Sequence, residues 1–299
     1  MIKLKVPATT ANLGPGFDCM GIALDLYNYI EIEEIDSGLK ISIEDDNDRK
    51  KVDKDENNLV FKAVKKVFEK VGYRTKGLRI HIKYHIPIAR GLGSSAACIV
   101  GGMMAANEIC GRKLELHELM EMAVEMEGHP DNVVPAMVGG YVISAYTENK
   151  VEYLRFDLPE EIRFIIAVPD FELKTSDARR ILPEMVSLKD AVFNISRAAL
   201  LAAAVAEKRY NLFHFFGKDR LHQPYRGKLI PGMDQVMKNA VEEGALGVFL
   251  SGAGPSIIAL SLKDFEKIGS KMKEIFFLNG IRSTILITGV SKKGAEILT

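Results

Sequence analysis

Tryptophan is absent from this 299-residue chain, and cysteine nearly so, with only Cys19, Cys98 and Cys110. An odd number without a Cys-x-x-Cys pair excludes a disulfide framework or zinc cage and agrees with a reducing, cytoplasmic setting. Net charge is absent too, because 40 Lys and Arg balance 40 Asp and Glu. That balance argues against a broad nucleic-acid surface or a polybasic membrane anchor, so any basic site must be local. No uninterrupted apolar run approaches the length of a membrane span. The first residues enter an alternating strand, Ile2-Lys3-Leu4-Lys5-Val6, rather than a signal peptide. Repeats and low-complexity linkers are missing, and so is Gly-x-x-x-x-Gly-Lys-Ser/Thr, which disfavours a Walker-type nucleotide site.

What is present is ample apolar material, 47% of the residues, in a chain long enough for two domains. The expected boundary lies near Asp157-Leu158-Pro159-Glu160, giving units 1–157 and 158–299. Strand-like alternation marks residues 29–33, 39–43 and 77–84. The polar run from Asp45 to Asn58 reads as a solvated loop ending at a helix start. Val60, Ala63, Val64, Val67, Phe68 and Val71 recur at helical spacing, with Gly72 as the stop. A second amphipathic helix spans about 115–126, with Leu116, Leu119, Met120, Ala123 and Met126 inward. It delivers Glu127 to a His-Pro-Asp-Asn loop. Strands follow at 141–146, 151–156 and 163–168, then an alanine-rich helix over 188–208. The last pieces read strand, strand, helix, strand. Interspersed elements of this kind predict an α+β fold rather than a regular doubly wound sheet.

The most informative run is Pro87-Ile88-Ala89-Arg90-Gly91-Leu92-Gly93-Ser94-Ser95-Ala96-Ala97. It follows a strand and opens a helix of small and apolar residues reaching Cys110. Glycines let a backbone approach a ligand closely, and the first-turn N–H groups and the helix dipole favour an anion there. The Ser94 and Ser95 hydroxyls are suited to capping, to phosphate or to a hard cation. The same residues also fit Gly-x-Gly-x-x-Ala, a dinucleotide fingerprint, so a dinucleotide-dependent oxidoreductase competes with a phosphate loop and with a plain turn. A nucleotide-dependent binding module without turnover is a third class. Against the fingerprint, the preceding strand is heavily charged, Pro87 and Arg90 interrupt the passage, and no acidic residue closes a second strand.

Two more glycine-rich segments flank that run. They are Pro7-Ala8-Thr9-Thr10-Ala11-Asn12-Leu13-Gly14-Pro15-Gly16-Phe17-Asp18 and Ser251-Gly252-Ala253-Gly254-Pro255-Ser256. Three such loops in this order resemble the GHMP family of small-molecule kinases, and the resemblance covers essentially the whole chain. Glu127-Gly128-His129-Pro130-Asp131-Asn132, Thr175-Ser176-Asp177-Ala178-Arg179 and Tyr225-Arg226-Gly227-Lys228-Leu229-Ile230-Pro231 narrow it to the branch acting on L-homoserine. Mevalonate- and shikimate-type acceptors are the alternatives within the family.

The resemblance implies an N-terminal ATP-binding domain like ribosomal protein S5 domain 2 and a ferredoxin-like C-terminal domain, with the site between them. It implies ATP on residues 87–97, Mg²⁺ on Glu127 with Ser95, and Thr175 near the γ-phosphate. Glu127, Thr175 and Arg179 are its expected catalytic residues. Homoserine carries an ammonium, a carboxylate and a hydroxyl. Arg179 and Arg226 are expected at its carboxylate, since a planar fork binds bidentately, and Asp18 at its ammonium. Asn132 is expected at its hydroxyl, with Asn12 and Asp131 as further polar contacts. Asn12 and Asp18 also read as turn-stabilising residues around Gly14 and Gly16. The proton acceptor is open between Asp131 and the phosphate itself. A homodimer without nucleic-acid or membrane partners completes the expectation.

Overall fold

A computed structural model describes residues 1–45 and 52–298. Much of the expected solvated loop before Asn58 lies outside them. The chain runs through β1 (Ile2–Ala11), β2 (Met20–Glu34), β3 (Gly38–Asp45), α1 (Leu59–Val71), β4 (Gly77–Tyr84) and α2 (Ser94–Ile109). It continues through α3 (Leu116–Glu127), α4 (Pro130–Val138), β5 (Tyr141–Thr147) and β6 (Lys150–Phe156). The first sheet has the order β11-β1-β2-β4-β3, with β5 pairing β2 and β6 pairing β5, where β11 (Glu296–Leu298) returns from the far end of the chain. Among the described residues only β3 and β4 run parallel, joined through α1.

Local sequence explains the helices well. Asn58 caps α1 by accepting from the N–H groups of Val60 and Phe61, and Gly72 ends it at φ 67°, a cap worth about 1 kcal/mol. The buried stripe of α1 is Val60, Ala63, Val64, Val67 and Phe68. Helix α2 is apolar on all sides because it lies between α1 and the sheet. A Cβ on Gly101 would stand 2.4 Å from Ile30 Cδ1, and one on Gly102 2.6 Å from the Val60 carbonyl oxygen. Two adjacent glycines therefore let α2 touch a strand on one side and a helix on the other.

Some expectations need correction. Leu116, expected inward, is 45% exposed, because the helix begins there with Glu115 as its cap. The His-Pro-Asp-Asn segment is not a loop. His129 is the N-cap of α4, and Pro130, Asp131 and Asn132 form its first turn. Proline is tolerated at the first helical position, where its missing N–H has no partner to lose. The dinucleotide reading also fails on topology, since α2 is followed by α3 and α4 rather than by a strand parallel to β4.

After β6 come β7 (Arg163–Pro169), α5 (Thr175–Arg180), α6 (Leu188–Ala206), a 3₁₀ segment (Tyr210–Gly217), α7 (Gln223–Arg226) and a short 3₁₀ turn (Gly227–Leu229). Next follow α8 (Met233–Glu242), β8 (Gly247–Leu250), β9 (Ile257–Ser261), α9 (Phe265–Leu278) and β10 (Ser283–Thr288). The second sheet, β10-β7-β9-β8, is antiparallel throughout. Counted within this half, its order is 4-1-3-2 on a β-α-β-β-α-β chain, the ferredoxin-like arrangement. We propose Asp157 as the end of the first unit, between the last strand of one sheet and the first of the other, with β11 rejoining the first sheet. Among the described residues, no helix is long and apolar enough to cross a membrane.

Candidate active site

A cleft of about 410 Å³ runs between the N-terminus of α2, the loops around Asp18 and Gly252, and Arg179 on α5. At one end the chain turns from β4 into α2 through three residues with positive φ: Ala89 (53°), Gly91 (74°) and Gly93 (68°). The last is the cap of α2, and no side chain among the described residues satisfies the first-turn N–H groups. They are left facing the cleft, as an anion requires. A Cβ on Gly93 would stand 1.9 Å from Thr9 Oγ1, and one on Gly91 2.2 Å from the Ser251 carbonyl oxygen. Glycine is needed at both for conformation and for space.

Remote segments hold this turn. Thr9 N–H donates to the Leu92 carbonyl at 3.1 Å. Ser251 Oγ donates to the Gly91 carbonyl at 2.6 Å and so accepts from Thr10 Oγ1 at 2.9 Å. From the second sheet, the Pro169 carbonyl accepts from Arg90 Nε at 2.9 Å, and Leu173 N–H donates to the Ala89 carbonyl at 3.3 Å. Non-glycine residues at positive φ are uncommon, and these bonds fix Ala89 in that conformation. The Arg90 guanidinium is thus a clamp on protein carbonyls. Ala96 and Ala97, grouped by sequence with the phosphate run, are fully buried and lie off the cleft wall. Ala97 N–H already bonds the Gly93 carbonyl inside α2.

Beside the turn, Ser95 Oγ donates to Glu127 Oε2 at 2.7 Å. Glu127 is the last residue of α3, ended by Gly128 at φ 93°, and α3 packs on α2. Burial pushes the Glu127 carboxyl above its ordinary value, and the Ser95 hydrogen bond and nearby His129 only partly offset this. A desolvated carboxylate next to a hydroxyl and an anion-binding helix end suits a hard cation that keeps most of its water.

The other end is built from side chains. Asp18, at φ 56°, accepts both forks of Arg179, Nη1 at 3.0 Å and Nη2 at 2.8 Å. Burial disfavours the Arg179 charge, but Asp18, with Asp131 and Glu127 behind it, raises its pKa overall. Arg226 is 2% exposed. Its Nη1 donates to the Gly252 carbonyl at 2.9 Å and to His222 Nδ1 at 3.3 Å, and its Nε to the Ala178 carbonyl at 3.3 Å. Burial first, then the charge of Arg179, push its pKa down to about 10, so it stays charged at neutral pH. His222 donates from Nε2 to the Gly14 carbonyl at 2.7 Å, which leaves Nδ1 to accept from Arg226. Burial holds the pKa of this histidine down, in keeping with a neutral ring.

Asp131 is 1% exposed and Asn132 8%, both on the first turn of α4. Asp131 Oδ1 lies 2.6 Å from His129 Nδ1. Burial works against the imidazolium, yet Asp131, Glu127 and Asp18 together raise the His129 pKa. Asn132 Oδ1 accepts from Thr9 Oγ1 at 2.8 Å, which turns its Nδ2 toward Asp131 at 3.4 Å. Asn12 is engaged within the protein, donating to the Gly252 carbonyl at 2.9 Å and accepting from Asp18 N–H at 3.0 Å. Its geometry serves the loop that carries Asp18, the turn-stabilising reading. Asp18, His129 and Asp131 each offer a ligand atom within 4.8 Å of the others. Within that group Asp18 is already paired with Arg179 and Asp131 with His129.

Thr175 opens α5 and reaches the same cleft. Val52, Asn57, Asn58 and Tyr84, at the start of α1 and the end of β4, also line it. They carry no motif, and sequence reasoning had no signal for them.

The N-terminal domain of GHMP kinases matches residues 58–140, and their C-terminal domain matches residues 196–277. The homoserine kinase of Caldicellulosiruptor saccharolyticus is 54% identical over 273 residues, 91% of this chain and 88% of that one. That of Clostridium beijerinckii is 48% identical over 299 residues, covering 100% and 99%. The crystal structure of homoserine kinase from Cytophaga hutchinsonii superposes with a TM-score of 0.88 at 33% identity, over 99% of this chain and 97% of that one. A mevalonate kinase from L. major in complex with R-mevalonate shares the fold at 14% identity, with a TM-score of 0.71 over 97% and 96% of the two chains.

Proposed function

The chain belongs to the GHMP kinase family, and from that premise we propose that it transfers the γ-phosphoryl group of ATP to the side-chain hydroxyl of L-homoserine. The products are O-phospho-L-homoserine and ADP, on the route to threonine, in the cytoplasm and as a homodimer. One observation carries the reading. A single cleft joins a backbone anion site at the start of α2 to a set of paired carboxylates and arginines. The paired opposite charges of Asp18 and Arg179 match a zwitterion, one side for its ammonium and the other for its carboxylate, whereas mevalonate or shikimate would leave Asp18 without a cationic partner in the ligand.

The N–H groups of α2 and the turn 87–95 take the triphosphate. Glu127 and Ser95 are the residues to hold Mg²⁺, which neutralises phosphate charge when bound. Arg179 and Arg226 receive the substrate carboxylate, with Arg226 Nη2 as the arm not engaged by protein carbonyls, and Asp18 receives the ammonium. Asn132 directs the acceptor hydroxyl, and Asn12 positions Asp18. Thr175 reaches the γ-phosphate from the second sheet. The bond from the hydroxyl oxygen to phosphorus forms as the bond from phosphorus to the β-phosphate oxygen breaks. We assign the hydroxyl proton to a γ-phosphoryl oxygen, because Asp131 faces a histidine whose pKa it raises. An aspartate paired with a cation is a weak base.

The test is phosphate transfer from Mg·ATP to L-homoserine, with D-homoserine, L-serine and mevalonate alongside. Selective turnover of L-homoserine is expected. Turnover of another alcohol would keep the kinase and overturn the acceptor site. No transfer to any of them would overturn the function.

A further inference from the structure

Two buried titratable groups beside the acceptor end, His222 and Asp219, take no part in the transfer itself, and solvent reaches neither side chain. Asp219 is satisfied by the protein. Its Oδ1 accepts from Asn194 Nδ2 at 2.7 Å and from the Leu221 N–H at 2.9 Å. Its Oδ2 accepts from the N–H groups of His222 and Gln223 at 3.0 and 2.6 Å. These donors fill the lone pairs of the carboxylate, and His222 Nε2, 3.6 Å from Oδ2, turns instead to the Gly14 carbonyl at 2.7 Å. A carbonyl only accepts and a guanidinium only donates. The Gly14 bond therefore places the ring's proton on Nε2, and the bond from Arg226 Nη1 at 3.3 Å requires a bare lone pair on Nδ1. Between them, the two neighbours select one neutral tautomer.

Those two bonds join different halves of the chain. Gly14 lies in the loop that carries Asp18, and the loop is seated on the second half, since a Cβ on Gly14 would stand 1.4 Å from the Phe216 carbonyl oxygen. In the same loop Phe17 stacks on the His222 ring, with centroids 5.2 Å apart and planes 24° from parallel. Its ring also faces the guanidiniums of Arg226 and Arg179 at 5.2 and 5.7 Å, an arrangement that attracts both cations. Arg226 gives Nε–H to the Ala178 carbonyl and its Nη1 hydrogens to the Gly252 carbonyl and to His222. Its plane is thereby fixed, and Nη2 is left for the cleft that Arg226 lines. On the reading that Asp18 and Arg226 receive the ammonium and carboxylate of an amino acid, we propose that His222 is the positioning residue of the acceptor site. It ties the loop of Asp18 to the guanidinium of Arg226, so that the partners of the two ligand charges are held at one separation. An α-amino acid carries both charges on a single carbon, at a spacing it cannot adjust. A site already set to that spacing has less to order when the ligand arrives.

The test is steady-state kinetics of three variants of the full chain with each substrate varied in turn. His222→Phe keeps an aromatic ring against Phe17 and loses both bonds. It is expected to raise the KM for L-homoserine some 30-fold, as for lost hydrogen bonds to a charged group, with the KM for ATP within about twofold of wild type. His222→Asn sets an amide oxygen near the place of Nδ1 and keeps the bond from Arg226. His222→Gln sets an amide N–H near the place of Nε2 and keeps the bond to Gly14. Each is expected to recover part of the loss, and neither all of it. An unchanged KM for L-homoserine in His222→Phe overturns the proposal. So does an equal rise in both KM values, or failure of both amides to improve on phenylalanine, since either marks a ring that only fills space. A second measurement needs no variant. Burial, aided by the charge of Arg226, outweighs Asp219, the Gly14 carbonyl and Asp18 and holds the ring neutral. In wild-type protein carrying ¹⁵N-labelled histidine, His222 is expected with a proton on Nε2 and none on Nδ1 even at about pH 6, where an ordinary histidine is mostly charged. A proton on Nδ1 overturns the proposal. Wild type that transfers no phosphate to L-homoserine would sink the kinase reading. Wild type that does, with variants that leave its KM unmoved, would sink the role of His222 alone.

Discussion

The two ends of the cleft are made of different materials. The end proposed for the phosphates is backbone: a turn of glycines and the open N–H groups of α2, held by hydrogen bonds to carbonyls. The end proposed for the acceptor is side chains: Asp18 and Arg179 from opposite halves of the chain, Arg226 buried on a four-residue helix, and Asp131 on the first turn of α4. Backbone donors suit a ligand recognised by charge and shape that recurs across many substrates. Side chains suit a ligand whose particular groups must be told apart. On the proposed reading the lesson is a division of labour, with affinity for the nucleotide in the fold and specificity for the alcohol in replaceable residues.

The contrast can be broken most sharply between the ends. Glu127→Gln removes the carboxylate proposed for the metal, and we expect kcat to fall about 10³-fold, with a higher Mg²⁺ requirement. Gly91→Ala forces a Cβ into the Ser251 carbonyl oxygen at positive φ. It is expected to lower kcat/KM for ATP about 10²-fold while leaving the KM for L-homoserine unchanged. An equal effect on both substrates would show that the ends are one unit. Arg179→Lys and Arg226→Lys are the mirror experiment. Each is expected to raise the KM for L-homoserine some 10-fold with the KM for ATP unchanged, since an ammonium cannot reproduce a bidentate fork. Unchanged kinetics in Glu127→Gln and in both arginine variants would remove the site assignment.

The smallest effect concerns stability. Burial raises the Glu127 pKa in the folded, metal-free chain. The stability this contributes is fully present below the carboxyl's ordinary pKa and is lost as pH rises through the raised value. Glu127→Gln abolishes that penalty, so the metal-free variant should melt higher than wild type at pH 8 and at the same temperature at pH 4. A lower melting point at pH 8 would mean the carboxylate is stabilising without metal.

Much of this was legible beforehand, and the exceptions share a cause. Helix α1 ended where Gly72 said it would, and strand β4 kept its expected bounds, because apolar spacing and glycine act locally. Pro130-Asp131-Asn132 read as a loop because those residues favour turns. They form a helix because Pro130 takes the first helical position and α4 packs closely on β2, where a Cβ on Gly21 would stand 1.8 Å from the Asp131 carbonyl oxygen. Nothing around Asn57 or Tyr84 announced a cleft wall, since a wall is made by whatever faces an opening.

By itself, the sequence determined the α+β class, most element boundaries, the glycine turn before α2 and the list of charged residues proposed for the acceptor. These follow from periodicity and from φ restrictions, which span a few residues. Only the tertiary structure decided how those charges pair. It set Arg179 on Asp18, Arg226 on Gly252 and His222, and Asn12 under the Asp18 loop. Such pairings join residues as far as 161 positions apart, and no local preference encodes a distance of that kind.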